Sequence, residues 1–178
     1  SNGKYIVSAS EDKTIKLWEV ESEKCIKTFD RHTGSVYFAA FSNDGKYIVS
    51  ASGDKTIKLW EVEGDNREPI KTFEGHTDDV NSATFSSDGK YIVSASDDET
   101  IKIWDVDSRR CIKTLEGHIS GAISALFNND GKYIAWGSSD ETIKLWEFKP
   151  LQEIADETRE RFKDNPLTAE ERREYYIE

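Results

Sequence analysis

The 178-residue chain has no methionine, only two cysteines, three prolines and three histidines, and fewer basic than acidic residues. Each shortage excludes something. A complete translation product normally starts with methionine, so the expectation is a processed chain or part of a longer polypeptide. Two cysteines do not make the disulfide framework of a small secreted domain. They share one repeat position, in Lys24-Cys25-Ile26-Lys27-Thr28 and in Arg110-Cys111-Ile112-Lys113-Thr114. Equivalent positions in non-adjacent repeats stand too far apart to bridge, so both are read as small core hydrophobes, and a cytoplasmic location fits. No apolar run approaches the roughly 20 residues of a membrane helix. No signal peptide, lipidation motif or Asn-x-Ser/Thr sequon is visible. Twenty-four Lys and Arg against 35 Asp and Glu leave a net charge of −11. Nucleic acid and anionic membranes need a basic face, which this balance argues against. A basic protein partner is permitted.

What is present is repetition. Thr-Ile-Lys-(Leu/Ile)-Trp occurs four times, ending at Trp18, Trp60, Trp104 and Trp146, which lie 42, 44 and 42 positions apart. A period of roughly 40–45 residues belongs to propeller-type repeats. Within each period an apolar run follows a His (His32, His76, His118) and ends at an Asp-Gly turn (Asp44-Gly45, Asp88-Gly89, Asp130-Gly131). Asp-Gly between apolar runs is a strong hairpin signal, because glycine accepts the positive φ of the turn. Lys-Tyr-Ile-Val-Ser-Ala-Ser follows at Lys46–Ser52 and Lys90–Ser96, then a second tight turn, the Trp-ended run, and a run such as Lys24–Phe29. Four short strands per period predict an all-β fold. Residues 64–69 add two positions between the third and fourth strands, rich in Gly, Asn and Pro and so read as a loop. The strands number fourteen, as three, four, four and three.

These motifs resemble the WD-repeat β-propeller family over residues 3–148. Gly75-His76 and Gly117-His118 match the family's opening pair, and Trp104-Asp105 its closing pair; the other three copies end in Trp-Glu. The resemblance implies about half a propeller, 3.5 four-stranded blades over residues 1–29, 30–73, 74–115 and 116–148, followed by a helical C-terminal extension over 149–178. It also implies hydrogen-bonded tetrads: His32, Ser50, Asp54 and Trp60 in one blade, His76, Ser94, Asp98 and Trp104 in the next. The first blade keeps Ser8, Asp12 and Trp18 without a His. The last keeps His118, Asp140 and Trp146, but Trp136 stands where the Ser should be. In the extension, Leu151, Ile154, Thr158 and Phe162 recur at helical spacing, and Thr168-Ala169-Glu170-Glu171 forms a capping box. Its Leu-Thr-Ala-Glu-Glu-Arg run resembles the ends of some bacterial multidomain WD-repeat proteins.

The three histidines recur once per repeat, so no zinc site or other cofactor is expected from them. A Ser, His and Asp in successive repeats are structural, since a catalytic triad is a single constellation in a cleft. No enzyme activity is expected. The resemblance implies instead that a partner contacts the top face. The positions are Glu11 from the first blade; Ser35, Tyr37 and Gly53; Asp79, Asn81 and Asp97; and Gly121, Ile123 and Ser139. Tyr37 among Asp79, Asn81 and Asp97 suits a peptide carrying Lys or Arg. The expected function is a non-catalytic protein-interaction scaffold. The alternatives are a sensor module of a larger signalling protein, such as a bacterial NTPase or protease, and a self-assembling structural unit. Closed propellers hold about four to eight blades, so 3.5 blades imply either a homodimer closing an eight-bladed ring or completion by blades of a longer chain.

Overall fold

The computed structural model describes residues 3–150 together with Asp156, Arg159 and Glu160. The chain divides into two compact units, Ser1–Trp146 and Glu147–Glu178. Fourteen strands are formed among the described residues: β1 (Tyr5–Ala9), β2 (Ile15–Glu19), β3 (Lys24–Phe29), β4 (Val36–Phe41), β5 (Tyr47–Ser52), β6 (Ile57–Glu61), β7 (Lys71–Phe73), β8 (Val80–Phe85), β9 (Tyr91–Ser96), β10 (Ile101–Asp105), β11 (Cys111–Leu115), β12 (Ala122–Phe127), β13 (Tyr133–Ser138) and β14 (Ile143–Glu147). They make four antiparallel meanders, β1–β3, β4–β7, β8–β11 and β12–β14. The helical stripe and capping box expected in the tail lie outside the described residues; Asp156, Arg159 and Glu160 are helical.

Local chemistry sets the turns. At each Asp-Gly turn the glycine takes a positive φ of 72–74° (Gly45 74°, Gly89 72°, Gly131 73°). The Asp44 carboxylate accepts from Ser42 Oγ at 2.6 Å and from the Lys46 amide at 3.0 Å, and Asp88 does the same with Ser86 and Lys90. In the second turn, left-handed backbone falls on non-glycine residues: Lys13, Lys55, Glu99 and Glu141, with φ of 71°, 68°, 65° and 67°. That conformation is uncommon for such residues. A preceding aspartate holds it in every copy. Asp54 Oδ1, for example, accepts from the Thr56 amide at 3.0 Å and from Thr56 Oγ1 at 2.6 Å.

Each sheet has a forward face turned to the next sheet and a rear face turned to the previous one. Forward Ile15, Leu17 and Phe29 pack on rear Ile48, Trp60 and Val62. One period later, forward Val49, Ile57, Leu59 and Phe73 pack on rear Val80, Ile92 and Trp104. Burying a large side chain of this kind contributes about 1.5–3 kcal/mol, so the junctions are the core. Phe29 and Trp60 meet with ring centroids 5.1 Å apart.

A lysine completes each of these two junctions. Lys27 is 7% exposed, and its Nζ donates to the carbonyls of Glu61 at 2.9 Å, Gly64 at 3.2 Å and Val62 at 3.4 Å. Burial lowers its pKa. Lys71 donates to the Val106 carbonyl at the next junction.

The loop predicted at 64–69 is present, and β7 is reduced to three residues, against six in β3. Pro69 precedes it and has no amide to add to the ladder.

The cysteines differ from expectation. Cys25 and Cys111 are both exposed, with free thiols. In β3 the pairing runs Leu17↔Lys27 and then Trp18↔Cys25, leaving Ile26 unpaired. The same bulge leaves Ile112 unpaired in β11. One extra residue reverses the inward and outward alternation, so Lys27 and Phe29 face the core and Cys25 does not.

Candidate functional site

The two complete networks are built alike. His32 Nδ1 lies 2.7 Å from Asp54 Oδ2, and His32 Nε2 lies 2.7 Å from Ser50 Oγ, to which Trp60 Nε1 donates at 2.9 Å. In the third sheet the corresponding distances for His76, Asp98, Ser94 and Trp104 are 2.7, 2.7 and 2.8 Å. Burial dominates at His76 and lowers its pKa despite the Asp98 carboxylate. Neutral His76 therefore donates from Nδ1 to Asp98 and accepts the Ser94 hydroxyl proton at Nε2, leaving Ser94 Oγ to accept from the indole. For Asp98, burial raises the pKa, but hydrogen bonds from Thr100, the Thr77 amide and His76 together outweigh it and lower the value to about 2. Asp54 is lowered in the same way. Every polar atom is used internally, which leaves no free nucleophile or base.

The end sheets differ. Trp18 Nε1 donates to Ser8 Oγ at 2.9 Å in the first. In the last, His118 Nδ1 reaches Asp140 Oδ2 at 2.7 Å, but Trp136 replaces the serine and packs edge-on against His118, ring centroids 4.4 Å apart. His118 Nε2 and Trp136 Nε1 are buried without hydrogen-bond partners. Among the described residues Trp146 makes no side-chain hydrogen bond, so the relay from Asp140 stops at His118 and does not reach this indole as it reaches Trp60 and Trp104.

The top-face positions come together where the loops before β4, β8 and β12 meet the turns between the second and third strands. The pairing of β4 with β5 runs Val36↔Ser52 and then Phe38↔Ala51, so Tyr37 is unpaired. Asn81 is unpaired in β8 and Ile123 in β12 by the same shift. A bulge re-aims the side chain of its extra residue. Sequence reading pointed to these three positions, but the bulge that presents them has no local composition signal.

Contacts then run from sheet to sheet. Ser35 Oγ approaches the Glu11 carbonyl at 3.5 Å. Tyr37 Oη donates to Asp79 Oδ2 at 2.9 Å, and this bond raises the phenol pKa. Both groups lie over Gly53, where a Cβ would stand 3.1 Å from the phenol oxygen and 3.3 Å from the carboxylate. Asn81 Nδ2 donates to Asp97 Oδ1 at 2.6 Å and to the Ala122 carbonyl at 3.0 Å. Asp97 sits against Gly121, where a Cβ would be 2.7 Å from its Oδ1. Ser139 joins only through its amide, which donates to the Gly121 carbonyl at 3.1 Å. Ile123 makes none of these polar contacts and is 53% exposed. The result is a surface with an exposed aromatic ring, a fixed amide and two carboxylates, Asp79 and Asp97, which among the described residues are bonded to the neutral donors Tyr37 and Asn81. Lys55 neutralises the adjacent Asp78 at 3.8 Å. No cluster of three His, Cys, Asp or Glu side chains suited to a metal occurs among the described residues, and no described helix is long and apolar enough to cross a membrane.

Successive antiparallel meanders, the two middle ones stitched inside by His, Ser, Asp and Trp, define a WD-repeat β-propeller segment. The chain belongs to the family described as the IFT122 first beta-propeller, whose model matches residues 1–160. It is also similar to shorter stretches of other proteins. It is 47% identical over 36 residues to a probable E3 ubiquitin ligase complex SCF subunit sconB of Talaromyces stipitatus, covering 20% of this chain and 5% of that protein. It is 42% identical over 52 residues to the nuclear distribution protein PAC1 of Scheffersomyces stipitis, covering 24% and 10%. It is 56% identical over 34 residues to a ribosome biogenesis protein BOP1 homolog of Culex quinquefasciatus, covering 19% and 4%. The matches thus span a tenth or less of those relatives' own length.

Proposed function

We propose that the chain is a non-catalytic scaffold of the cytoplasm that holds a Lys- or Arg-bearing peptide of a partner protein on its top face. The supporting observation is the bulge-presented Tyr37, bonded to Asp79 and neighboured by Asn81 and Asp97. An aromatic ring beside carboxylates that have no cationic partner among the described residues offers both cation–π and charge-assisted contacts to a basic side chain. One relative, the SCF subunit sconB, is named as part of an E3 ubiquitin ligase complex, and a scaffold reading agrees with it.

The test is fluorescence anisotropy against a library of Lys- and Arg-containing peptides. Replacing Tyr37 and Asp79 together by Ala weakens the selected peptide by about 2 kcal/mol, the scale of an interface hot spot. Normal binding by that double variant, with binding lost on deleting residues 149–178, would move the site to the tail.

A further inference from the structure

The surface around Tyr37 uses its donors internally and leaves acceptors open. The phenol O–H goes to Asp79 Oδ2. Both hydrogens of the Asn81 amide are taken, by Asp97 Oδ1 and the Ala122 carbonyl. Both of those partners are acceptors, which fixes the amide orientation. Backbone amides are used as well: Gly53 donates to the Ser35 carbonyl at 2.9 Å, Asp97 to the Asp79 carbonyl at 2.9 Å, and Asp79 to Asp78 Oδ1 at 3.0 Å. Asp79 Oδ1, Asp97 Oδ2 and Asn81 Oδ1 accept no hydrogen bond among the described residues. Lys55, on the same turn as Gly53, is committed to the Thr77 carbonyl at 2.7 Å and to Asp78.

Gly53 gives this surface its shape. The same repeat position holds Glu11 one period earlier and Asp97 one period later. Asp97 takes the Asn81 amide within its own sheet. Gly53 has no side chain to offer, so Tyr37 reaches across to Asp79 in the next sheet, and its ring lies over the bare turn. A Cβ at Gly53 would stand 3.4 Å from Tyr37 Cε2 as well as 3.1 Å from the phenol oxygen. The backbone there is not left-handed, so the glycine answers to space and not to φ.

An exposed aromatic ring beside open acceptors, two of them carboxylate oxygens, matches a group that is flat, cationic and donor-only. Guanidinium carries five N–H donors in a planar fork, has no acceptor, and stacks on aromatic rings. An ammonium is a compact, strongly hydrated charge with no plane to stack.

We infer that this surface selects arginine over lysine, and that Gly53 sets the selectivity: the guanidinium stacks on Tyr37, and its N–H groups reach the open oxygens of Asp79, Asn81 and Asp97. This deepens the reading of the top face as a basic-peptide site and rests on it.

The experiment is a proton–nitrogen correlation NMR titration of the full chain with three capped peptides, Gly-Ser-X-Ser-Gly, where X is arginine, lysine or citrulline. Citrulline keeps the plane and loses the charge; lysine keeps the charge and loses the plane. The amide signals of Gly53, Asp79 and Asp97 report on the site, and the remaining signals show that each variant is folded. The arginine peptide binds about tenfold tighter than either of the others. Gly53→Ala sets a methyl group against the phenol and the Asp79 carboxylate, lifts the ring, and brings arginine down to the level of lysine. Equal affinity for arginine and lysine at these signals overturns the selectivity and leaves the basic-peptide reading standing. An arginine preference unchanged in Gly53→Ala overturns the role of Gly53, and one unchanged when Tyr37 and Asp79 are both replaced by Ala overturns the site. Signals that move with none of the three peptides overturn both the inference and the reading beneath it.

Discussion

At the residue scale the tetrads act through protonation as well as geometry. His76 is held below its ordinary 6.5, so it contributes stability above pH 6.5 that is lost as the pH falls below that value. Asp98 is lowered from 3.8 to about 2. Its contribution is present above pH 3.8 and lost as the pH falls toward about 2. The expected urea midpoint therefore drops on acidification in two stages, the first below pH 6.5 and the second between 3.8 and about 2. Asp98→Ala removes its share of the second stage. At neutral pH it costs about 1–3 kcal/mol for each buried donor it orphans. A midpoint unchanged by Asp98→Ala at neutral pH would show that the network adds nothing to stability. These residues were legible in the sequence because they recur with the period. Lys27 was not, because nothing in Cys25-Ile26-Lys27 signals an ammonium group buried against three carbonyls. The cysteines were misplaced for a related reason: strict alternation puts Cys25 on the same side as Lys27, and only the bulge at Ile26 undoes that.

At the scale of the element, the last sheet tests whether motif or packing governs a blade. Trp136 takes the serine position, and the substitution leaves two polar atoms unbonded. Trp136→Ser would restore the motif and give His118 Nε2 a partner, a gain of about 1–3 kcal/mol. It would also empty the space of a fully buried indole, a loss of about 3–5 kcal/mol for a large aromatic truncation. Packing wins, so the expected outcome is a lower urea midpoint; a higher one would show that the orphaned atoms dominate. The strands and their order were readable from turn residues and apolar runs. The bulges at Tyr37, Asn81 and Ile123 were not, since an unpaired residue is set by the partner strand's register and not by its own neighbours. Gly34 shows the same limit. It has no positive φ, yet a Cβ there would stand 2.6 Å from the Asp54 amide nitrogen, a close approach visible only in the fold.

At the scale of the whole molecule, the repeats are close copies of one another. Near-identity between the repeats has a consequence for the route by which the chain folds. Residues 4–18 and 46–60 differ only at Glu11 against Gly53, and residues 90–104 differ from 46–60 only at Asp97, Glu99 and Ile103. A hairpin built from any of these segments can dock where another belongs. Neighbouring similar units are prone to such misassembly. A molecule shifted by one unit would keep native turns, native pairings and a native-looking interior, and its error would show only as a displaced terminus. The variable residues on the proposed binding surface are therefore also among the few features that tell one hairpin from the next.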